Sequence, residues 1–195
     1  MMTFTPKILA FAGSTRADSY NKKMVKIAAA GAKAAGAEVT YLDLRDLPLP
    51  LFDEDLQAQE GFPENASKLK ELLRAHQGLL IACPEYNSSI TPVLKNAIDW
   101  ASRPSEPGEQ MIACFSGKVA TIMSASPGGM GGMRGLVHLR SILGNINVIV
   151  LPEQKTISQA FQAFDDNGNF KDPKQQQDVE KLGANLAAIL LKLHS

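Results

Sequence analysis

Lys7-Ile8-Leu9-Ala10-Phe11-Ala12-Gly13-Ser14-Thr15-Arg16-Ala17-Asp18-Ser19-Tyr20-Asn21 is the stretch that decides the fold. After its leading lysine, Lys7–Ala12 is apolar at every position, so it predicts a strand covered on both faces rather than one alternating between core and water. Small and hydroxylic residues follow, and then a long helical pattern over Asn21–Ala35. A buried strand that runs through a polar turn into a helix opens a βαβ unit.

The same rhythm repeats outward along the chain. Further strands are expected at Glu38–Asp43, Gly78–Cys83, Lys118–Ser124 and Asn147–Val150, and further helices at Ala66–His76, Thr91–Trp100, Gly132–Leu143 and Gln176–Leu193. In the last helix Val179, Leu182, Leu186, Ile189, Leu190 and Leu193 recur at helical spacing and are expected to face the sheet. Five strands alternating with five helices predict an α/β doubly wound parallel sheet with helices on both faces. No repeat or linker interrupts the chain, so residues 1–195 read as a single domain. Three irregular stretches are long for such a fold: Arg45–Pro63, Ser102–Gly117 and Leu151–Pro173.

Ligands of open α/β sheets sit beyond the carboxyl ends of the strands, near the point where strand order reverses. In a five-strand order of the flavodoxin-like kind, strands one, three and four are neighbours, so the loops that follow them would converge. The first of these runs from Gly13 to Asn21. A helix N-terminus offers free N–H groups and a positive dipole end, which suits a phosphate. Ser14, Thr15 and Ser19 add hydroxyls, Asn21 an amide and Arg16 a charged fork. Ser, Asp and Asn also favour helix caps and polar turns, so the loop by itself reads either way. Its spacing is neither GxGxxG nor GxxxxGK[ST].

The loop after strand three is Pro84-Glu85-Tyr86-Asn87-Ser88-Ser89-Ile90-Thr91-Pro92. An aromatic ring among amides and hydroxyls suits a flat heterocycle, though in isolation such a stretch more often forms a turn with an exposed tyrosine. The loop after strand four, Ser126-Pro127-Gly128-Gly129-Met130-Gly131-Gly132-Met133-Arg134-Gly135, holds five glycines, which let backbone come close to a ligand.

Composition removes several function classes. The 20 basic and 20 acidic side chains give a formal net charge of +0, which argues against a nucleic-acid partner. Cys83 and Cys114 form neither a CxxC pair nor a disulfide scaffold, and Cys83 reads as a small buried hydrophobe. The apolar run Ile8–Ala12 is too short for a signal-peptide core, and no stretch approaches membrane-spanning length, so a cytoplasmic protein with no membrane partner is expected. Asp165-Asp166-Asn167-Gly168-Asn169 has its glycine at the wrong position for a calcium loop and reads as a turn; no metal site is expected. His76, His138 and His194 read as structural or solvated.

Taken together, GSTRADSYN, PEYNSSITPVLKNAIDWASRP and SPGGMGGMRGLVHLR resemble the NADPH-dependent FMN reductase family, which includes quinone, azo-dye and chromate reductases. The resemblance runs from about Lys7 to Val150. It implies a flavodoxin-like fold, non-covalent FMN, NAD(P)H as co-substrate and a homodimer or homotetramer. Carried over residue by residue, it puts the FMN phosphate on Ser14, Arg16, Ser19 and Asn21. The isoalloxazine ring is placed against Pro84, Glu85, Tyr86 and Asn87 and against Ser126, Pro127, Gly128 and Gly129. Thr91-Pro92 stands where many relatives have Pro-Gly, and Ser102–Gly117 is long for the family.

The activity implied is ping-pong transfer of electrons from a nicotinamide, through FMN, to a quinone, a flavin or a similar small acceptor. The flavin carries that chemistry, so no side chain is assigned as catalytic. Two alternatives are a flavodoxin-type electron carrier and a non-enzymatic FMN-binding interaction protein. The neutral charge fits the first poorly, since such carriers are usually acidic.

Overall fold

Strand β1 (Lys7–Ala12) is buried at every residue after Lys7, as are all residues of β3 (Gly78–Ala82) and β4 (Val119–Ala125). A computed structural model describes residues 4–194 and shows why. The three strands are the centre of a parallel sheet in the order β2-β1-β3-β4-β5, with β2 spanning Glu38–Asp43 and β5 spanning Ile149–Val150. On the edge, β2 instead alternates between exposed and partly buried residues along most of its length. The register aligns Ala10 with Tyr41 on one side and with Leu80 on the other.

Helices cover both faces. On one lie α1 (Tyr20–Ala34) and α7 (Pro173–Leu193), packed on Ile8, Ala10, Leu80 and Met123. On the other lie α3 (Glu64–Ala75), α4 (Pro92–Ser102) and α5 (Met133–Asn145), packed on Leu9, Phe11, Leu79, Ile81 and Ile122. Two short helices, α2 (Glu54–Glu60) and α6 (Ala160–Ala163), lie within segments expected to be irregular. The fold is flavodoxin-like, as expected, and no helix of the described residues is long and apolar enough to cross a membrane.

Three details differ from the sequence reading. The fifth sheet position is filled by two strands in succession. β5 pairs with the start of β4 at Val119 and Ala120, and β6 (Lys155–Ile157) pairs with its end at Met123–Ala125. Pro152, which has no N–H for a ladder, lies in the break between them. Leu193 is exposed, because it is the final helical residue of α7 and lies beyond Leu190, the last leucine packed in the core. Finally, Arg45–Pro63, expected to be irregular, carries α2 and is fastened to Trp100 of α4. The indole N–H of Trp100 donates to the Pro50 carbonyl at 2.8 Å, and Phe52 and Phe62 meet its ring edge-on.

α1 and α7 touch backbone to backbone. A Cβ on Gly31 would fall 2.0 Å from the Glu180 carbonyl oxygen, and one on Gly183 would fall 1.8 Å from that of Ala28. No larger residue fits either position without parting the helices. This contact fixes α1, and so the N-terminus that α1 presents beyond the carboxyl end of β1.

Candidate functional site

The three loops converge as the strand order requires. Ser14, Arg16, Ser19, Tyr20 and Asn21 from the first, Pro84, Glu85 and Tyr86 from the second, and Ala125, Ser126 and Pro127 from the third line one cleft of 130 Å³. Asn87, Gly128 and Gly129 fall outside that lining, each in the same loop as residues that do line it. A larger space of 380 Å³ lies along the outer side of α1 beside Asp166–Asn169. Its Lys23 is already paired with Asp18 at 2.6 Å and its Lys22 with Asp43, and it lies away from the aromatic and glycine loops. The smaller cleft is therefore the candidate site.

The first loop brings hydroxyl, guanidinium and amide groups to the cleft. Ser19 caps α1 in extended conformation, yet its hydroxyl makes no cap hydrogen bond. Ser14 is nearly buried, and its Oγ accepts from the Arg16 N–H at 3.3 Å. The guanidinium of Arg16 folds back so that Nε donates to the Asp18 carbonyl at 2.9 Å, with its carbon 5.1 Å from the centre of the Tyr20 ring. Asn21 does something the sequence did not show. Its amide is bonded both ways to the backbone of Ala125, tying the start of α1 to the end of β4.

Behind the loop stands a charged brace. Lys22, almost fully buried, meets Asp43 at 2.6 Å, and Nε of Arg45 donates to the Thr15 carbonyl at 2.7 Å. Burial works against the Asp43 carboxylate, but hydrogen bonds from Lys22 and the Arg45 N–H outweigh it and hold its pKa below the ordinary range. Thr91 closes the other side. Its hydroxyl donates to the Gly13 carbonyl at 2.7 Å and accepts from the Leu94 N–H, capping α4 ahead of Pro92. Thr91 is thus the stitch between the first and second loops. The Ser/Thr-x-x-x cap pattern before Pro92 was the available signal.

The second loop is a tight hairpin. Tyr86 and Ser89 exchange backbone hydrogen bonds at 2.9 and 3.0 Å, and Asn87 and Ser88 both take positive φ. That is the two-residue turn whose twist matches flanking extended chain. It leaves Tyr86 58% exposed at the mouth of the cleft. The carboxylate of Glu85 points away from the mouth, onto the N-terminal turn of α5.

The five glycines of the third loop divide by role. Gly131 and Gly132 have φ of +61° and +89°, and a Cβ on Gly132 would fall 1.9 Å from Ser124 Oγ; they are required by the backbone itself. Gly135 sits in α5 against the Ser89 carbonyl. Gly128 and Gly129 have neither constraint. A Cβ on Gly129 would meet nothing within 4 Å, and one on Gly128 only Ser126 Oγ at 3.6 Å. Bare backbone facing open space is what close approach by a flat ligand needs.

The remaining candidates are structural. His76 is buried, with its ring nitrogens against the Leu72 carbonyl and Thr40 Oγ1. Burial pushes the Cys83 thiol up to about 12, so it is inert. The Asp165–Asn169 stretch is a turn closed by the Asn169 N–H on Asp165.

Residues 6–162 match the NADPH-dependent FMN reductase family. The chain is 40% identical to an NAD(P)H-dependent FMN reductase of Pseudomonas aeruginosa, over 90% of each chain. It is 32% identical to a probable NADPH:quinone oxidoreductase of Oryza sativa subsp. japonica, over 96% of this chain and 90% of that one. Among solved structures it is similar to FerB, a flavoenzyme NAD(P)H:acceptor oxidoreductase of Paracoccus denitrificans. That likeness has a TM-score of 0.77 at 27% identity and covers 96% and 98% of the two chains. The chain belongs to the NADPH-dependent FMN reductase family and is an oxidoreductase with FMN as its cofactor.

Proposed function

We propose that the protein passes electrons from NAD(P)H, through FMN held in the three-loop cleft, to quinones, flavins or similar small acceptors in a ping-pong cycle. The observation that carries this reading is the pairing of two unlike ends in one cleft. At one end lie the uncapped Ser19 hydroxyl and a helix N-terminus; at the other lie an exposed tyrosine and unobstructed glycine backbone. A phosphate suits the first end and a flat conjugated ring the second.

In this reading Ser14, Arg16 and Ser19 hold the phosphate together with the first N–H groups of α1. Asn21 holds the loop in place through Ala125 and has one amide hydrogen left for the ligand. Pro84, Glu85, Tyr86 and Asn87 frame one edge of the ring, and Ser126, Pro127, Gly128 and Gly129 frame another. FMN, when bound, accepts a hydride from the nicotinamide and delivers electrons to the acceptor. The protein's contribution is binding, orientation and N–H groups that favour negative charge on the reduced ring. No side chain in the cleft is needed to move a proton.

One cleft serving donor and acceptor in turn requires that the first product leave before the second substrate binds. Initial rates measured against NAD(P)H at several fixed quinone concentrations should therefore give parallel double-reciprocal lines. Intersecting lines would show both substrates bound together and overturn the ping-pong assignment. A homodimer or homotetramer is part of the same proposal. Exposed Leu51, Met111, Met130, Met133 and Val137 are apolar surface of the kind that subunit contacts cover.

A further inference from the structure

Glu85 belongs to the cleft by its backbone and to α5 by its side chain. Its Oε1 accepts from Nε of Arg134 at 2.9 Å and lies 2.6 Å from the Nη2 nitrogen of the same guanidinium, while Oε2 accepts from the Gly135 N–H at 3.1 Å. The carboxylate is 8% exposed and the guanidinium 57%. On the far side of the Tyr86 turn, Ser89 Oγ lies 2.9 Å from Nδ1 of His138, again on α5. A Cβ on Gly135 would come within 3.2 Å of the Ser89 carbonyl oxygen, so α5 is seated directly on this turn. Because α5 begins where the glycine loop ends, whatever fixes α5 against the turn also fixes the gap between the two loops that flank the ring.

We propose that Glu85 is a positioning residue for the flavin ring: clasped by Arg134, it sets the separation of the loops after β3 and β4 and has its charge cancelled beside the ring. This rests on the reading of the cleft as the FMN site. The charge argument follows from the chemistry of reduction. A reduced flavin tends toward an anion, so a bare carboxylate nearby disfavours it and a bare guanidinium favours it. With the two groups paired at 2.6–2.9 Å, neither field dominates. A flavin contact by the Glu85 carboxylate itself is not part of the arrangement, since both of its oxygens are engaged.

The test is a redox titration of the FMN-loaded protein, with the potential read as the ratio of affinities for reduced and oxidised FMN. Glu85→Gln leaves Arg134 unpaired and should shift this ratio toward reduced FMN, on the order of tenfold. Arg134→Met leaves Glu85 unpaired and should shift it the opposite way by a similar factor. The double variant should return close to the parent. Since Arg134 is exposed, Arg134→Met carries the test by itself if Glu85→Gln does not fold. Shifts of the same sign, or an Arg134→Met protein that takes up FMN with an unchanged ratio, would overturn the proposal alone. Failure of the unaltered protein to take up FMN would overturn the reading of the cleft and the proposal with it.

Discussion

The amide of Asn21 and the backbone of Ala125 form a closed pair: Nδ2 donates to the Ala125 carbonyl at 2.7 Å, and Oδ1 accepts from the Ala125 N–H at 3.0 Å. The two residues are 104 positions apart in the chain, and both are buried. An asparagine is the residue that can donate and accept from one flat group in this way. The pair joins the loop after β1 to the strand end beneath the glycine loop. Asn21→Ala would strand both backbone groups and should cost about 2–4 kcal/mol of unfolding free energy, measured by urea titration. Asn21→Asp should be no better, because its carboxylate cannot donate to the carbonyl. A loss under about 0.5 kcal/mol in the alanine variant would mean that the pair contributes nothing to the architecture.

The crossing of α1 and α7 gives a second prediction. Gly183→Ala would place a methyl group 1.8 Å from the Ala28 carbonyl oxygen. Ordinarily alanine stabilises a helix interior relative to glycine by roughly 1 kcal/mol. Here overlap with rigid backbone should reverse the sign, with a net loss of about 3 kcal/mol in chemical denaturation. Gly144→Ala, at a helix position with nothing near the added carbon, is the internal control and should be neutral or stabilising.

A third prediction concerns acid stability and the segment between α4 and β4. Lys70 and Glu109 pair at 2.7 Å with exposures of 1% and 7%, and Arg74 and the Ser105 N–H and hydroxyl also meet the carboxylate. Burial opposes the charged form of Glu109, but these partners outweigh it and hold its pKa at about 2, against an ordinary 4.5. The folded value lies below the unfolded one. The resulting stability is therefore complete above about pH 4.5 and is lost as pH falls toward about 2, to the extent of on the order of 3 kcal/mol. Urea midpoints measured through this window should fall for the parent protein. Glu109→Gln should be weaker at neutral pH, since it leaves Lys70 without its buried counter-ion, and should show a smaller acid-dependent fall.

Arg16 supplies a fourth. Its guanidinium rests on the Asp18 carbonyl and the Tyr20 ring, at the end of the cleft proposed to take the phosphate. Hydrogen bonds to charged groups contribute about 1.5–3 kcal/mol, so Arg16→Ala should weaken FMN binding by roughly 10–100-fold. Riboflavin, with no phosphate, should bind almost as before. Equal losses for the two ligands in fluorescence titration would make the arginine structural; no loss for either would leave the phosphate to the helix N-terminus and the hydroxyls.

Much of this architecture was legible in the chain because its central strands are apolar throughout. Lys7–Ala12 and Gly78–Cys83 can sit only in a sheet covered on both faces, and that fixes the class of fold. The three converging loops followed from strand order. What escaped was set by partners distant in sequence. The two-part edge formed by β5 and β6 depends on pairing with β4, and nothing local in Lys155–Ile157 announces it. Asn21 and Glu85 both line the cleft, but nothing local announces that their side chains also bind within the protein. Those partners, Ala125 and Arg134, lie 104 and 49 residues away in sequence. Glycines were similarly ambiguous: Gly132 is required by its left-handed backbone, whereas Gly129 stands in open space.

The cleft is proposed to hold FMN, with one bound flavin serving donor and acceptor in turn. Anaerobic mixing of the FMN-loaded protein with NADPH or NADH, followed by addition of a quinone, tests it directly. The visible absorption band of the bound flavin should bleach fully on the first addition, with one nicotinamide oxidised per protein-bound flavin, and return in full on the second once the nicotinamide has been removed by gel filtration. A flavin band left unchanged by both nicotinamides, or one that recovers only while nicotinamide is still bound, would contradict the account.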